Sequence, residues 1–344
     1  MRSDELLYLV TTISLISVHV AAECTRFSTN GSTAGNYDFY RFYDFRNIQS
    51  SSNNIPAVAE PKGQSEVFSA APWRSGWDAR SWFRPASKAQ NLDMQYTPTE
   101  IFISNSTEPS REFSTYLTLH TTRLANGTQL AAELDYSEHN VTYASIRMLG
   151  RVRGASGAVA GFFIYHNDTT ESDIEILTKD PSTRVHFSNQ PTTEPDNDTP
   201  IPGSTFNESL ATHQSTSAWN VYRLDWVPGR SAWYLNGAQL ANTEVNVPDT
   251  ATMVIMSLWS NGGNFSGQMN TGDEAWFDVK WVELLFNTTT TPDTRGGGRV
   301  CSADSPSGPP IPGVESYASP RPGSRITRAC FWWLIGMVSI LIVQ

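Results

Sequence analysis

From about Asn36 to Phe286 the chain consists of short apolar or alternating segments bounded by Gly, Pro, Asn and Asp, with no long stretch of helical period. That pattern excludes a helical bundle and predicts an all-β domain. Strands are expected at Tyr116 to Thr122, Val141 to Arg147, Ala158 to Tyr165, Ser172 to Leu177, Val221 to Trp226, Ala232 to Leu235, Thr252 to Trp259 and Trp276 to Leu284. The strongest turn signal is Asn236-Gly237, because a two-residue hairpin needs positive φ at both central positions. Regular spacing of such strands predicts a sandwich or jelly roll, with a long irregular loop from Asn197 to Ser217.

Composition narrows the partners. Charged residues are 17% of the 344, against about 25% in ordinary soluble proteins, while aromatics reach 11% with 11 Trp. A formal net charge of -10 argues against nucleic acid, since phosphate binding needs a clustered basic surface, and it disfavours anionic polysaccharides. Lysine occurs only at positions 62, 88, 179 and 280, and no run of like charge forms a basic arm or an acidic tail.

The two ends read as addresses. An apolar stretch from Leu6 to Val20 runs into Val20-Ala21-Ala22, which predicts a signal peptide over residues 1–22. Phe331 to Val343 is a second apolar run, shorter than the roughly 20 residues a spanning helix needs. Behind a spacer with small residues from Gly313 to Ser324, it fits a glycosylphosphatidylinositol attachment signal over residues 331–344. The domain is expected to span 23–288, followed by a Thr/Ser/Pro/Gly-rich stalk over 289–330. The Asn-x-Ser/Thr pattern occurs at Asn30, Asn105, Asn126, Asn140, Asn167, Asn197, Asn207, Asn264 and Asn287, in keeping with a secretory route and a glycoprotein. If both end segments are removed, Cys330 leaves with the tail, and Cys24 and Cys301 remain as a pair that can bridge the ends of the domain in an oxidising compartment.

The chemistry is concentrated in Glu171-Ser172-Asp173-Ile174-Glu175-Ile176-Leu177. Strand alternation puts Glu171, Asp173 and Glu175 on one face and Ser172, Ile174 and Ile176 on the other. Three carboxylates in one apolar strand repel one another and form strand poorly, so the arrangement calls for a reason. Glycoside hydrolysis with retention supplies one: a nucleophile and an acid that becomes a base, with carboxyls about 5 to 5.5 Å apart. On a flat strand positions i and i+4 lie about 13 Å apart at Cα, so the two glutamates must lean inward. From the residues alone, a calcium site or a solvated strand also fits.

Flanking segments carry a family resemblance. Gly157-Ala158-Val159-Ala160-Gly161-Phe162-Phe163 precedes the acidic strand; Trp219 to Pro228, Trp233-Tyr234-Leu235-Asn236-Gly237, Met256 to Gly263 and Phe277 to Val282 follow in order. With them, the acidic strand resembles that of family-16 glycoside hydrolases, the laminarinase and lichenase group, and among these the secreted fungal members with a C-terminal anchor signal. The resemblance covers about Tyr143 to Phe286 and departs from the common pattern at Ser172, where many relatives have Ile or Val. It implies a β-jelly-roll of the concanavalin A-like type with a cleft across one sheet. By position it implies Glu171 as nucleophile, Glu175 as general acid/base and Asp173 as the assisting carboxylate.

Sugar rings stack on aromatics, so a cleft of this kind should carry them. Trp259, in LWSNGG, matches the cleft tryptophan of the family. Trp226 and Trp233 are candidates for cleft or core alike. His186 and Asn189, after the acidic strand, are candidates for sugar contacts, the alternative being a surface pair. No metal-ligand cluster or phosphate loop stands out, so no cofactor is expected beyond a structural calcium ion that the sequence leaves open. The expected protein is a monomeric retaining endo-β-glucanase acting on neutral β-1,3 or mixed β-1,3-1,4 glucan, at the cell surface or in the wall and held to the membrane by its lipid anchor. Alternatives are a cell-wall transglycosylase and a non-catalytic carbohydrate-binding protein of the same fold.

Overall fold

The computed structural model describes residues 24–47, 76–88, 91–108, 113–290 and 299–304. The expected signal peptide, most of the expected stalk and the C-terminal tail lie outside the described residues.

Strands follow one another almost without helix. The first seven are β1 (Cys24–Ser28), β2 (Asn36–Tyr37), β3 (Phe39–Asp44), β4 (Trp77–Ala79), β5 (Trp82–Arg84), β6 (Met94–Tyr96) and β7 (Ile101–Asn105). Next come β8 (Thr115–Arg123), β9 (Gln129–Tyr136), β10 (Val141–Gly154), β11 (Val159–Asn167), β12 (Thr170–Leu177), β13 (Arg184–Asn189) and β14 (Thr205–Ser209). The last six are β15 (Asn220–Val227), β16 (Arg230–Leu235), β17 (Ala238–Thr243), β18 (Met253–Trp259), β19 (Glu274–Thr288) and β20 (Arg299–Ser302). Every strand expected from the sequence is present. Asn236 and Gly237 turn β16 into β17 with φ of 50° and 85°, as the hairpin requires.

The strands form a jelly-roll sandwich. One sheet runs β4-β9-β18-β11-β12-β13-β14, antiparallel throughout. The other runs β7-β8-β19-β10-β15-β16-β17, with β3 beside the second half of β19. Pairing of β8 with β9 joins the two sheets along an edge. Between them lies the core, where Phe162, Ile174, Ile176, Phe187 and Met256 of the first sheet meet Ile146, Tyr222, Leu224, Trp226, Trp233 and Phe277 of the second. Each large apolar side chain buried there contributes about 1.5 to 3 kcal/mol. Alternation then forces the opposite residues of β12 outward, and those are the carboxylates.

Two expected boundaries change. The segment Asn197 to Ser217 is not wholly irregular: β14 lies within it and adds an edge strand beside β13. Its burial alternates between exposed and half-buried, with little apolar content, so hydrophobic periodicity gives it no signal. The folded unit also continues past Thr288. After a gap in the described residues, β20 pairs in parallel with β1, and Cys24 is bonded to Cys301 with Cα atoms 5.7 Å apart. The small sheet β2-β1-β20 covers the outer face of the second sheet, packing Phe27, Tyr37 and Cys301 on Tyr40, Phe42, Trp281 and Leu285. Beneath it Arg147 pairs with Glu283 and donates to the Ala303 carbonyl, while Arg223 pairs with Asp225 at 2.6 Å and Asp304 at 3.0 Å.

Candidate active site

Register across the first sheet aligns the outward-facing side chains in rows. Glu133, Ser257, Gly161, Glu175, His186 and Asn207 form one row over β9, β18, β11, β12, β13 and β14. Asp135, Ile255, Phe163, Asp173, Ser188 and Thr205 form the next. Met253, Tyr165 and Glu171 form a third over β18, β11 and β12. With strands about 4.8 Å apart, Glu133 lies roughly 14 Å from Glu175 across the sheet, room for several sugar rings. Gly161 faces Glu175 without a side chain; a Cβ there would come within 3.1 Å of both the Phe163 ring and Ser257 Oγ.

Asp173 is buried, and Glu171 and Glu175 on either side of it are half-buried, while their strand mates Ser172, Ile174 and Ile176 point into the core. Burial, followed by the charge of Asp173, holds Glu175 well above the usual carboxylate range. Burial also raises Glu171 far above that range, reinforced by the charge of Asp173 and a hydrogen bond to it. Asp173 itself is raised by burial only to about 6, because Glu171, Ser188 and Gln190 hydrogen-bond to it and oppose that effect. Ser188 Oγ donates to Asp173 Oδ2 at 2.8 Å. Burial and mutual repulsion therefore favour the protonated forms of Glu175 and Glu171, and Asp173, with its hydrogen-bond donors, is the better seat for negative charge.

Beside Glu175 opens a recess of about 340 Å³ lined by His186, Ser188, Gln190, Thr192, Thr205, Trp259 and Phe265. His186 Nε2 is 2.6 Å from Asp180 Oδ2, and its ring stands edge-on to Phe265 at 6.2 Å. Trp259 is half-buried and stacks at 6.5 Å on Phe265, which is 44% exposed. On the β9 side Trp82 lies parallel to Tyr96 at 4.4 Å and donates through Nε1 to Glu133 at 3.0 Å. Burial, then the charge of Asp135, pushes Glu133 up to about 7.

The recess takes in Trp259 and His186 and leaves out three other candidates. Trp226 is fully buried between the sheets and donates through Nε1 to the Pro248 carbonyl at 2.7 Å. Trp233 is likewise core, stacked at 5.6 Å on Phe187. Asn189 has no exposed surface and donates to the Val245 carbonyl at 2.9 Å. An odd spacing from His186 puts it on the opposite face of β13, and Ser188 and Gln190 line the recess instead. Glu133 was missed although Glu133-Leu134-Asp135 repeats the acidic alternation of β12. Phe265 lies in a loop, where alternation gives no guide to its direction. Among the described residues no group of three or more His, Cys, Asp or Glu side chains is arranged to hold a metal ion.

The family model described as glycosyl hydrolases family 16 matches residues 79–283, more than half of the sequence. The chain belongs to that family. This family 16 protein is 28% identical over 158 residues to a beta-glucanase of Paenibacillus polymyxa, covering 44% of its own length and 63% of the relative's. It is 32% identical over 135 residues to a beta-glucanase of Bacillus subtilis (strain 168), covering 37% and 52%. A third relative is Congo red hypersensitive protein 1 of Saccharomyces cerevisiae, 25% identical over 172 residues, covering 49% and 31%. The match thus spans less than two thirds of these curated relatives. Among solved structures, a prokaryotic beta-1,3-1,4-glucanase (lichenase) derived from a mouse hindgut metagenome shares the fold, with a TM-score of 0.50 at 17% identity over 71% of this chain and 98% of that one.

Proposed function

We propose that this family 16 protein is a retaining endo-β-glucanase acting on neutral glucan with β-1,3 or mixed β-1,3-1,4 linkages. The observation that carries the reading is the set of three carboxyls on one face of β12, Asp173 buried between half-buried Glu171 and Glu175, beside an aromatic recess. In the first step Glu175 gives its proton to the departing glycosidic oxygen. Glu171 attacks the anomeric carbon as its own proton passes to Asp173 along their hydrogen bond, giving a glycosyl ester on Glu171. In the second step Glu175, now a carboxylate, takes a proton from water as the water attacks the same carbon and frees Glu171. Asp173 therefore acts as a proton store, which fits an acidity between those of its neighbours and ordinary carboxyls. The further acidic pair Glu133 and Asp135 on the same face is in keeping with a neutral substrate.

A second reading replaces water by a sugar hydroxyl, which makes the protein a transglycosylase. The recess beyond Glu175, walled by Trp259, Phe265 and His186, could seat such an acceptor. Laminarin and lichenan digests followed by product chromatography separate the two: shorter products alone mean hydrolysis, and chains longer than the substrate mean transfer. Intact glucan after prolonged incubation, with binding retained, would contradict both and favour a non-catalytic binding protein. We further propose that the protein travels the secretory route and is lipid-anchored, which the Cys24–Cys301 bond supports by fitting an oxidising compartment. Phospholipase treatment should release it from membranes.

A further inference from the structure

Two of the Asn-x-Ser/Thr acceptors stand at the recess itself. Asn207 lies on edge strand β14 directly opposite His186 in register, so its Cβ is about 5 Å from that of His186 and on the same face of the sheet. Thr205, two residues earlier on that face, lines the recess, and Asn207 is exposed. Asn264 immediately precedes Phe265, the aromatic of the facing wall, and it too is exposed. The loop is fixed on both sides of it: Lys179 Nζ donates to the Asn264 carbonyl, and Ser266 Oγ donates to Asn261 Oδ1 at 3.0 Å. His186 and Phe265, each next to one of the acceptors, are themselves in edge contact at 6.2 Å.

We propose that Asn207 and Asn264 both carry N-glycans, which frame the recess beside Glu175 from its two walls and restrict it to single, slender polysaccharide chains. The attachment joins the side-chain amide nitrogen of each Asn to the anomeric carbon of a lipid-linked oligosaccharide. That nitrogen loses a proton and the lipid pyrophosphate departs; the secretory host supplies enzyme and donor. Glycans are bulky and hydrophilic, whereas the recess spans only the two strand spacings from β12 to β14, about 10 Å. A lone chain threads between two such glycans, and laterally associated chains do not. Asn30, by contrast, follows β1 in the small sheet on the outer face of the other layer, where a glycan meets no substrate.

The role given to the recess rests on reading the cleft as a polysaccharide site, and the test uses no turnover. The full chain, secreted from a eukaryotic host, is mapped by glycopeptide mass spectrometry. Thr192→Cys is then placed on the recess wall and labelled with a small maleimide and with a polymer-linked maleimide, the labelled residue being read by peptide mapping. We expect both peptides to be glycosylated. Asn207→Gln/Asn264→Gln, or endoglycosidase treatment of the folded glycoprotein should the double variant fail to fold, should speed the polymer reagent several-fold. The small reagent should react at the same rate throughout, and Asn30→Gln should change neither. An unmodified peptide at either site, or an unchanged polymer rate after glycan removal, overturns the proposal. Absence of glucan cleavage would instead refute the glucanase reading and leave these two measurements intact.

Discussion

Ser188→Ala isolates the proton store. Ser188 Oγ donates a 2.8 Å bond to Asp173, whose carboxyl is only 2% exposed, so water does not replace the lost partner easily. A hydrogen bond to an ionised group is worth about 1.5 to 3 kcal/mol. At 1.36 kcal/mol per pH unit, its loss should raise the pKa of Asp173 from about 6 by roughly one to two pH units. Gln190 also bonds to Asp173 and should hold the change toward the lower figure. Asp173 must be ionised to receive the proton of Glu171, so the acid limb of kcat/KM should move up by the same amount while the alkaline limb, set by Glu175, stays. Initial rates on laminarin or lichenan from pH 4 to 9 read both limbs, and Ser188→Thr, which keeps the hydroxyl, should restore the wild-type profile. An acid limb that does not move in Ser188→Ala would refute the role given to Asp173, whatever the change in maximal rate.

Three further outcomes follow from the placement of other groups. Glu175→Gln should stabilise the fold above about pH 5: a carboxyl raised by burial is neutral in the native state while the unfolded chain ionises, so the wild type loses stability as pH rises from its ordinary value of 4.5 through the native one. Thermal melts of the two proteins at pH 4 and pH 7 should diverge only at the higher pH, and equal differences at both would contradict this sign. Trp259→Ala should raise KM on glucan with little change in melting temperature, whereas Trp233→Ala should cost about 3 to 5 kcal/mol of stability, since its ring is wholly core. Reduction of Cys24–Cys301, which closes a 277-residue separation, should destabilise the protein by up to about 5 kcal/mol in urea melts.

What the sequence revealed depended on periodicity. Alternation placed the strands and put Glu171, Asp173 and Glu175 on one face, because a buried side of β12 leaves its other side no choice. The same rule, applied to His186 and Asn189, would have separated them by parity. It did not decide which tryptophans face sugar: Trp226 and Trp233 alternate as regularly as any cleft residue, but they sit on the second sheet, whose regular face is the core. Pairing across distant segments was beyond local pattern altogether. β14 shows little apolar content, and β20 gains its place from distant partners: β1, the disulfide, the apolar packing of Cys301, and the charges of Arg147 and Arg223. Phe265 enters the recess by the path of a loop, which no period describes.

The central claim is that Glu171 becomes covalently bonded to the sugar with Glu175 as its acid partner. A 2-deoxy-2-fluoro β-glucan oligosaccharide with a good leaving group slows the second step and lets the glycosyl ester accumulate. Peptide mass spectrometry of the trapped protein should find the added oligosaccharide on Glu171, with Glu175 unmodified. Label on Glu175, or release of the leaving group at full rate with no labelled peptide, would contradict the account.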